Sequence, residues 1–280
     1  MTDDNVSQKR VLFRELHQSG CFVLPNPWDA GSAHVLAGLG FKALATTSSG
    51  CAWSHAHADG QLSRDATLAH MRFMVEATDL PVNADFESGF ADTTDGVAES
   101  VRMAVETGVA GISIEDSTGD QQAPLRTIGE SAQRIRAARA AIDAAGGDTL
   151  LVGRAENFIV GRPDLDDTIL RLKAYADAGA DCLYAPGIKT REQISAVVSA
   201  VAPKPVNVLI GWASDLTVQD LADLGVRRIS VGGALARAAW GGFMQAARTI
   251  AEQGRFDGFA DAYPAAELNT LFNKSRSIYR

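Results

Sequence analysis

Asp85 and Glu87 lie two residues apart in PVNADFESGF (81–90), and on a strand that spacing turns both carboxylates to one face. Inside an apolar strand the pair would repel at a cost, so the pattern places them at an open strand end with a cation close by. Gly89 then lets the backbone turn. Other apolar runs also end on polar chemistry: Asn26 and Asp29 after the first, Thr46 to Ser49 after the second, Glu115 and Asp116 after GISIED, Arg154 and Glu156 in LLVGRAE, Asn207 in PVNVLI, and Gly232 with Gly233 after RISV. If these ends face one cavity they form an acidic ring with one prominent arginine. Such carboxylates repel by several kcal/mol unless a divalent cation neutralises them. Oxygen-only ligands favour Mg²⁺, or Mn²⁺, over zinc.

The elements that must hold these residues alternate regularly. An amphipathic helix over 6–19 precedes strands at 21–27, 43–47, 82–86, 111–116, 150–156, 182–187, 205–210 and 228–233, with helical patterns between them and a long polar loop over 48–61. The runs are apolar on both faces, as parallel strands between layers should be. Eight such units predict an α/β fold, a (β/α)8 TIM barrel, whose active site lies at the C-terminal strand ends. Helical patterns at 234–253 and 262–273 exceed what closure needs. With no linker or low-complexity tract, residues 1–280 are read as one domain, with the barrel over about 21–253 and a helical extension over about 254–280.

Composition narrows the partners. The 280 residues carry 34 acidic against 26 basic side chains, a net charge of −8, without a basic run, which argues against nucleic acid or an anionic membrane surface. The polar N-terminus lacks a secretory pattern and no stretch is long and apolar enough for a membrane helix, so a cytoplasmic location is expected. Three cysteines without CxxC spacing indicate neither a disulfide framework nor a zinc cluster.

NPWDAGSA, TTSSG followed by Asp59-Gly60, ADFESGF, GISIED, VGRAE, AGADCLYAPG and RRISVGG together resemble the isocitrate lyase and phosphoenolpyruvate mutase superfamily, over about Leu24 to Trp240. The resemblance implies a barrel whose eighth helix is often exchanged between subunits, hence a homodimer or homotetramer, and a small carboxylic acid as substrate. It implies Asp85 as direct Mg²⁺ ligand, with Asp59, Glu87 and Glu115 acting through the ion's waters. Glu87 stands where Asp is more usual. Thr47, Ser48 and Ser49 match the segment that binds the substrate carboxylate or phosphonate, and Arg154 the arginine on its carboxylate or 2-oxo oxygen, a contact suited to a planar guanidinium. Arg154, Asp59 and Glu115 are the expected catalytic residues. Asn207 is placed with the substrate-binding residues, either touching the substrate or orienting a neighbour.

The reaction implied is cleavage of a bond to C3 of a 2-oxo or 2-hydroxy acid through a metal-stabilised enolate. The fourth-strand loop, EDSTGDQQAPLRTIGE, lacks the cysteine segment of isocitrate and methylisocitrate lyases and the gate segment of the phosphonopyruvate enzymes. A C–C lyase, with oxaloacetate decarboxylation as its simplest form, demands least of that loop. A P–C bond enzyme is the alternative, and a non-catalytic metabolite-binding barrel the third reading. His55 and His57 read as solvated loop histidines, with proton supply to an enolate as their sharper role. Cys51, in the same loop, reads as a packed thiol, and Gly232-Gly233 as a tight turn rather than a phosphate site.

Overall fold

A computed structural model describes residues 3–273. Eight parallel strands are present: β1 (Phe22–Leu24), β2 (Leu44–Ala45), β3 (Val82–Asp85), β4 (Gly111–Glu115), β5 (Leu150–Arg154), β6 (Cys182–Tyr184), β7 (Val206–Leu209) and β8 (Arg228–Ser230). Ladders connect them in the order β1-β8-β7-β6-β5-β4-β3-β2. The remaining seam is bridged by hydrogen bonds beyond the strand ends, from Ala45 N to Pro25 O (3.0 Å) and from Asn26 Nδ2 to Thr46 O (2.9 Å). Asn26 Oδ1 also accepts from the N–H groups of Val231 (2.9 Å) and Gly232 (2.8 Å), so one side chain ties β1, β2 and β8 into a nearly closed barrel. The strands are shorter than their apolar runs because residues such as Pro25 to Pro27 continue without a ladder partner.

Among the described residues the helices are α1 (Asp3–Leu16), α2 (Ala30–Gly38), α3 (Ser48–Ser54), α4 (Arg64–Glu76), α5 (Thr94–Val105), α6 (Ile128–Ala144), α7 (Leu165–Asp177), α8 (Arg191–Val201), α9 (Val218–Asp223), α10 (Ala234–Gln253) and α11 (Ala265–Asn273). Most begin on a threonine, serine or aspartate whose side chain accepts an N–H of the first turn, as Thr93, Thr127, Asp164 and Thr190 do. The main core lies between sheet and helices, built from residues such as Leu68, Val101, Ile112, Ile135, Leu172 and Val197. A second cluster inside the barrel joins Leu24, Val152, Cys182 and Tyr184 to Phe13 of α1, which plugs the N-terminal end. Gly111 permits that approach, since a Cβ there would stand 2.7 Å from the Phe13 ring and 2.6 Å from Asn83 Oδ1.

One local expectation is corrected. The polar loop over 48–61 contains α3, whose N-cap is Thr47, so Cys51 lies buried in a helix rather than in a loop. The C-terminal extension reaches Asn273 as helix, and positions 274–280 lie outside the described residues. No described helix is long and apolar enough to cross a membrane.

Candidate functional site

The C-terminal ends of β2, β3, β4 and β5 bring the acidic residues and Arg154 together. Asp85 ends β3, where its backbone N–H is held by Thr46 Oγ1 (2.9 Å). Its carboxylate accepts from the Ser48 N–H at 3.1 Å and from Arg154 Nη1 at 3.1 Å. The chain then turns sharply: Glu87, Gly89 and Phe90 have φ of 45°, 86° and 52°. A left-handed glutamate is unfavourable unless its surroundings hold it. Here buried Phe86 anchors the turn and the Glu87 carbonyl accepts the Glu115 N–H at 2.9 Å.

Arg154 and Glu115 are register partners across β4 and β5. Nη1 of Arg154 stands 3.2 Å from Glu115 Oε2, its Nε donates to Glu156 Oε1, and the guanidinium lies over the Tyr184 ring at 5.3 Å. Burial opposes the charge on Arg154, but Glu115, Glu156 and Asp85 hold it well above its ordinary value. The acids face the converse: burial, and one another's charge, push Glu115 and Glu156 up despite Arg154. Three carboxylates share one guanidinium, so its charge is favoured, while repulsion among the acids adds to the effect of burial on theirs. Glu156 is oriented in turn by its N–H bond to Asp116 Oδ1 (2.8 Å), while Asp116 Oδ2 accepts from Arg171 and Tyr175. Asn157 donates to Asp167. Asp116 and Asn157 thus orient the residues beside the site.

Glu87 is pushed up to about 8 by burial and then by Asp85, Glu115 and Asp59. Asp59, at the exposed rim, is raised by partial desolvation and by Asp85. These four acids are therefore short of positive charge. Among the described residues no three His, Cys, Asp or Glu side chains are gathered to grip a metal directly. A hard divalent ion such as Mg²⁺ dehydrates reluctantly and needs few protein ligands. The all-oxygen donor set and its unrelieved repulsion fit such an ion.

Thr47, Ser48 and Ser49 open α3 beside this group, with Thr47 Oγ1 accepting the Gly50 N–H (3.3 Å) and lying 3.1 Å from Ser49 Oγ. All three line a cavity of about 170 Å³ together with Asp59, Asp85 and Arg154. Asn207 is fully buried and its amide is engaged on both sides, donating to Ser230 Oγ (2.9 Å) and accepting from Arg228 Nε (2.9 Å). Of its two expected roles, these bonds match the orienting one. His55 and His57 are exposed and do not line the cavity. Burial pushes the Cys51 thiol up to about 11, which keeps it protonated. Gly232 has φ 54° and its N–H is taken by Asn26, in keeping with a turn. Asn26 and Thr46 stood among the strand-end residues without a stated role, and Tyr184 was not singled out. The signal for Tyr184 was its inward position on β6, in register with Arg154.

The profile of the phosphoenolpyruvate phosphomutase family matches residues 13–251. A provisional lyase/mutase from Burkholderia cenocepacia J2315, solved by crystallography, is 48% identical with a TM-score of 0.93, covering 96% of this chain and 98% of its own. Oxaloacetate acetylhydrolase, solved in complex with the product oxalate, is 25% identical with a TM-score of 0.82 over 95% of this chain and 93% of its own. An oxaloacetate decarboxylase of Rhodopseudomonas palustris (strain BisA53) is 32% identical over 167 residues, 58% of this chain and 54% of that protein. With the profile spanning most of the barrel and the acidic strand ends arranged as described, the chain belongs to the phosphoenolpyruvate mutase/isocitrate lyase superfamily.

Proposed function

We propose that this chain is a Mg²⁺-dependent lyase that cleaves a C–C bond of a small 2-oxo or 2-hydroxy carboxylic acid through an enolate. The observation that carries the reading is Arg154, a largely enclosed guanidinium braced by Tyr184 and Glu156, aimed at Asp85 and Glu115, and lining one cavity with Asp85 and Asp59. Asp85 would hold Mg²⁺ directly, with Asp59, Glu87 and Glu115 reaching it through water. When bound, the ion supplies positive charge that lowers the energy of a developing enolate.

The chain's own groups do the rest. Arg154 binds the substrate's carboxylate or 2-oxo oxygen in a planar contact, and its braces keep the guanidinium from reorienting as charge builds. The Ser49 N–H and the hydroxyl groups of Ser48 and Ser49, at the positive end of α3, receive the carboxylate. Asp59 and Glu115 are the acids nearest the reacting carbon in this reading. The family's phosphomutase members favour one alternative, a P–C bond enzyme. Incubation with Mg²⁺ and oxaloacetate, 2-methylisocitrate or phosphonopyruvate, assayed for pyruvate, CO₂ and phosphate, distinguishes them. Pyruvate without phosphate is expected; phosphate release alone would sink the C–C reading.

The same reading includes a homodimer or homotetramer. Of the twenty residues of α10 only Ala236 is buried, while Trp240, Phe243 and Met244 on it, and Phe256 and Phe259 beyond it, stay exposed. An amphipathic helix this apolar and this uncovered suits exchange onto a second copy. Phe243, 60% exposed, is the place to test it. Light scattering of the parent should give a multiple of the 29.6 kDa chain mass, and Phe243→Glu should shift it toward one chain. A monomeric parent would refute the assembly.

A further inference from the structure

The interior of this barrel is polar at depth. Arg228 on β8 points inward, is 2% exposed and lines the same cavity as Asp59, Asp85 and Arg154. Its Nε donates to Asn207 Oδ1 (2.9 Å) and its Nη1 to Asn83 Oδ1 (3.3 Å), with His17 Nε2 at 3.5 Å. Burial, then the charge of Arg228 itself, pushes His17 down to about 3, so that ring is neutral. Arg228 therefore has only neutral neighbours as hydrogen-bond partners among the described residues, and its Nη2 has none there.

The other buried arginines differ. Arg171 faces Asp116 and Asp167, and Arg134 is capped by the carbonyls of Ser88, Ala91 and Asp92, away from the cavity. A buried guanidinium without an anion is costly, and folding alone offers no reason to keep it. The position of Arg228 supplies one. Asn83, which it touches, lies two residues before Asp85 on β3, an axial step of about 6.6 Å. That is about the reach of a four- or five-carbon chain laid from the acid rim toward the floor.

We propose that Arg228 forms an anion subsite at the floor of the cavity that receives the distal carboxylate of the substrate, making the substrate a dicarboxylate of four or more carbons. The inference rests on the lyase reading, which places the substrate's 2-oxo or 2-hydroxy head beside Asp85 and Arg154. It also narrows that reading. A carboxylate expelled as CO₂ loses its charge in the transition state, so a guanidinium holding it would raise the barrier. The group on Arg228 is one the reaction retains, which favours cleavage between two carbon fragments over decarboxylation.

Isothermal titration of the Mg²⁺-loaded protein with oxalate, malate and lactate tests this. Oxalate probes the head site alone, whereas malate and lactate share a 2-hydroxy carboxylate head and differ by the distal carboxylate. The parent should bind malate about 10- to 100-fold more tightly than lactate, as one charge-assisted contact allows. Arg228→Met keeps the volume without the charge, and should bring that ratio to within about twofold while leaving oxalate affinity unchanged. The variant also takes their donor from the buried Asn207 Oδ1 and Asn83 Oδ1, so a lower melting temperature is expected and the affinity ratio carries the test. Arg228→Lys, which keeps the charge but not the fork, should retain part of the preference. A parent that binds malate no more tightly than lactate overturns the subsite whatever the variants do, and so does a preference that survives in Arg228→Met. Failure of oxalate to bind the parent would instead overturn the head-site reading, and the subsite with it.

Discussion

Asp85→Asn should lower kcat/KM by about 10³-fold, equivalent to about 4 kcal/mol of transition-state stabilisation. The substitution keeps shape and the capacity to accept the Ser48 N–H, but removes the one carboxylate that both ends β3 and faces Arg154. Mg²⁺ affinity measured by titration calorimetry should fall with it, because a neutral amide is a poor substitute for a carboxylate on a hard cation. Glu87→Asp should lose less than about tenfold, since a residue acting through water tolerates one methylene. The pH dependence follows from the same charges. Glu87, raised to about 8 by burial and by the neighbouring acids, holds its proton in the metal-free protein at neutral pH. Cation uptake must release that proton, so Mg²⁺ affinity should climb as pH rises toward about 8 and then level. Calorimetry in two buffers of different ionisation enthalpy would register the released proton. Full activity in Asp85→Asn would refute the metal assignment, whereas a parent without turnover would return the chain to the non-catalytic reading.

Much of this site could be read before any fold was known, for a physical reason. Parallel strands buried on both faces must be apolar along their length, so Asp85, Glu115 and Arg154 could only belong to strand ends, and all strand ends of a barrel open on one side. The eight strands followed from the same alternation. What escaped was decided by geometry that no local pattern carries. Ser48–Ser54, with two serines and a glycine at its start, has weak helix propensity, and α3 exists because Thr47 caps it and Gly50 fits between Thr47 and Trp28. Tyr184 looks like any core aromatic until register places it beneath Arg154. Asn207 was legible as inward-facing, but not that Ser230 and Arg228 would occupy both ends of its amide. Arg228 was the least legible, because an arginine opening a short strand reads as surface until closure of the barrel fixes which of Arg227 and Arg228 points in.

Arg154→Met should be costly in a second currency besides catalysis. Arg154 is the shared partner of Asp85, Glu115 and Glu156, at 3.1 Å and 3.2 Å from the first two and in contact with the third. Removing one partner of a buried ionic cluster typically costs about 3–5 kcal/mol, because the remaining charges keep their desolvation penalty without compensation. The cost should depend on pH, and its sign can be worked out. Burial already raises Glu115 and Glu156 against the pull of Arg154, and without that pull they rise further. An acid raised in the folded state carries a proton that the unfolded chain has released, so stability falls as pH climbs from the ordinary carboxylate range toward the raised value. The gap between variant and parent should therefore be smallest near about pH 6 and widen as pH rises through about 8, where Glu156 of the parent releases its proton and that of the variant does not, to be largest near about pH 9. Saturating Mg²⁺ should recover part of the loss, since a cation bound only by the folded state stabilises it. Arg154→Lys restores charge without the planar fork and should recover stability more than activity. Equal melting of parent and Arg154→Met at both ends of this pH range would show that the three acids do not depend on this arginine, and would remove the braced guanidinium as the centre of the site.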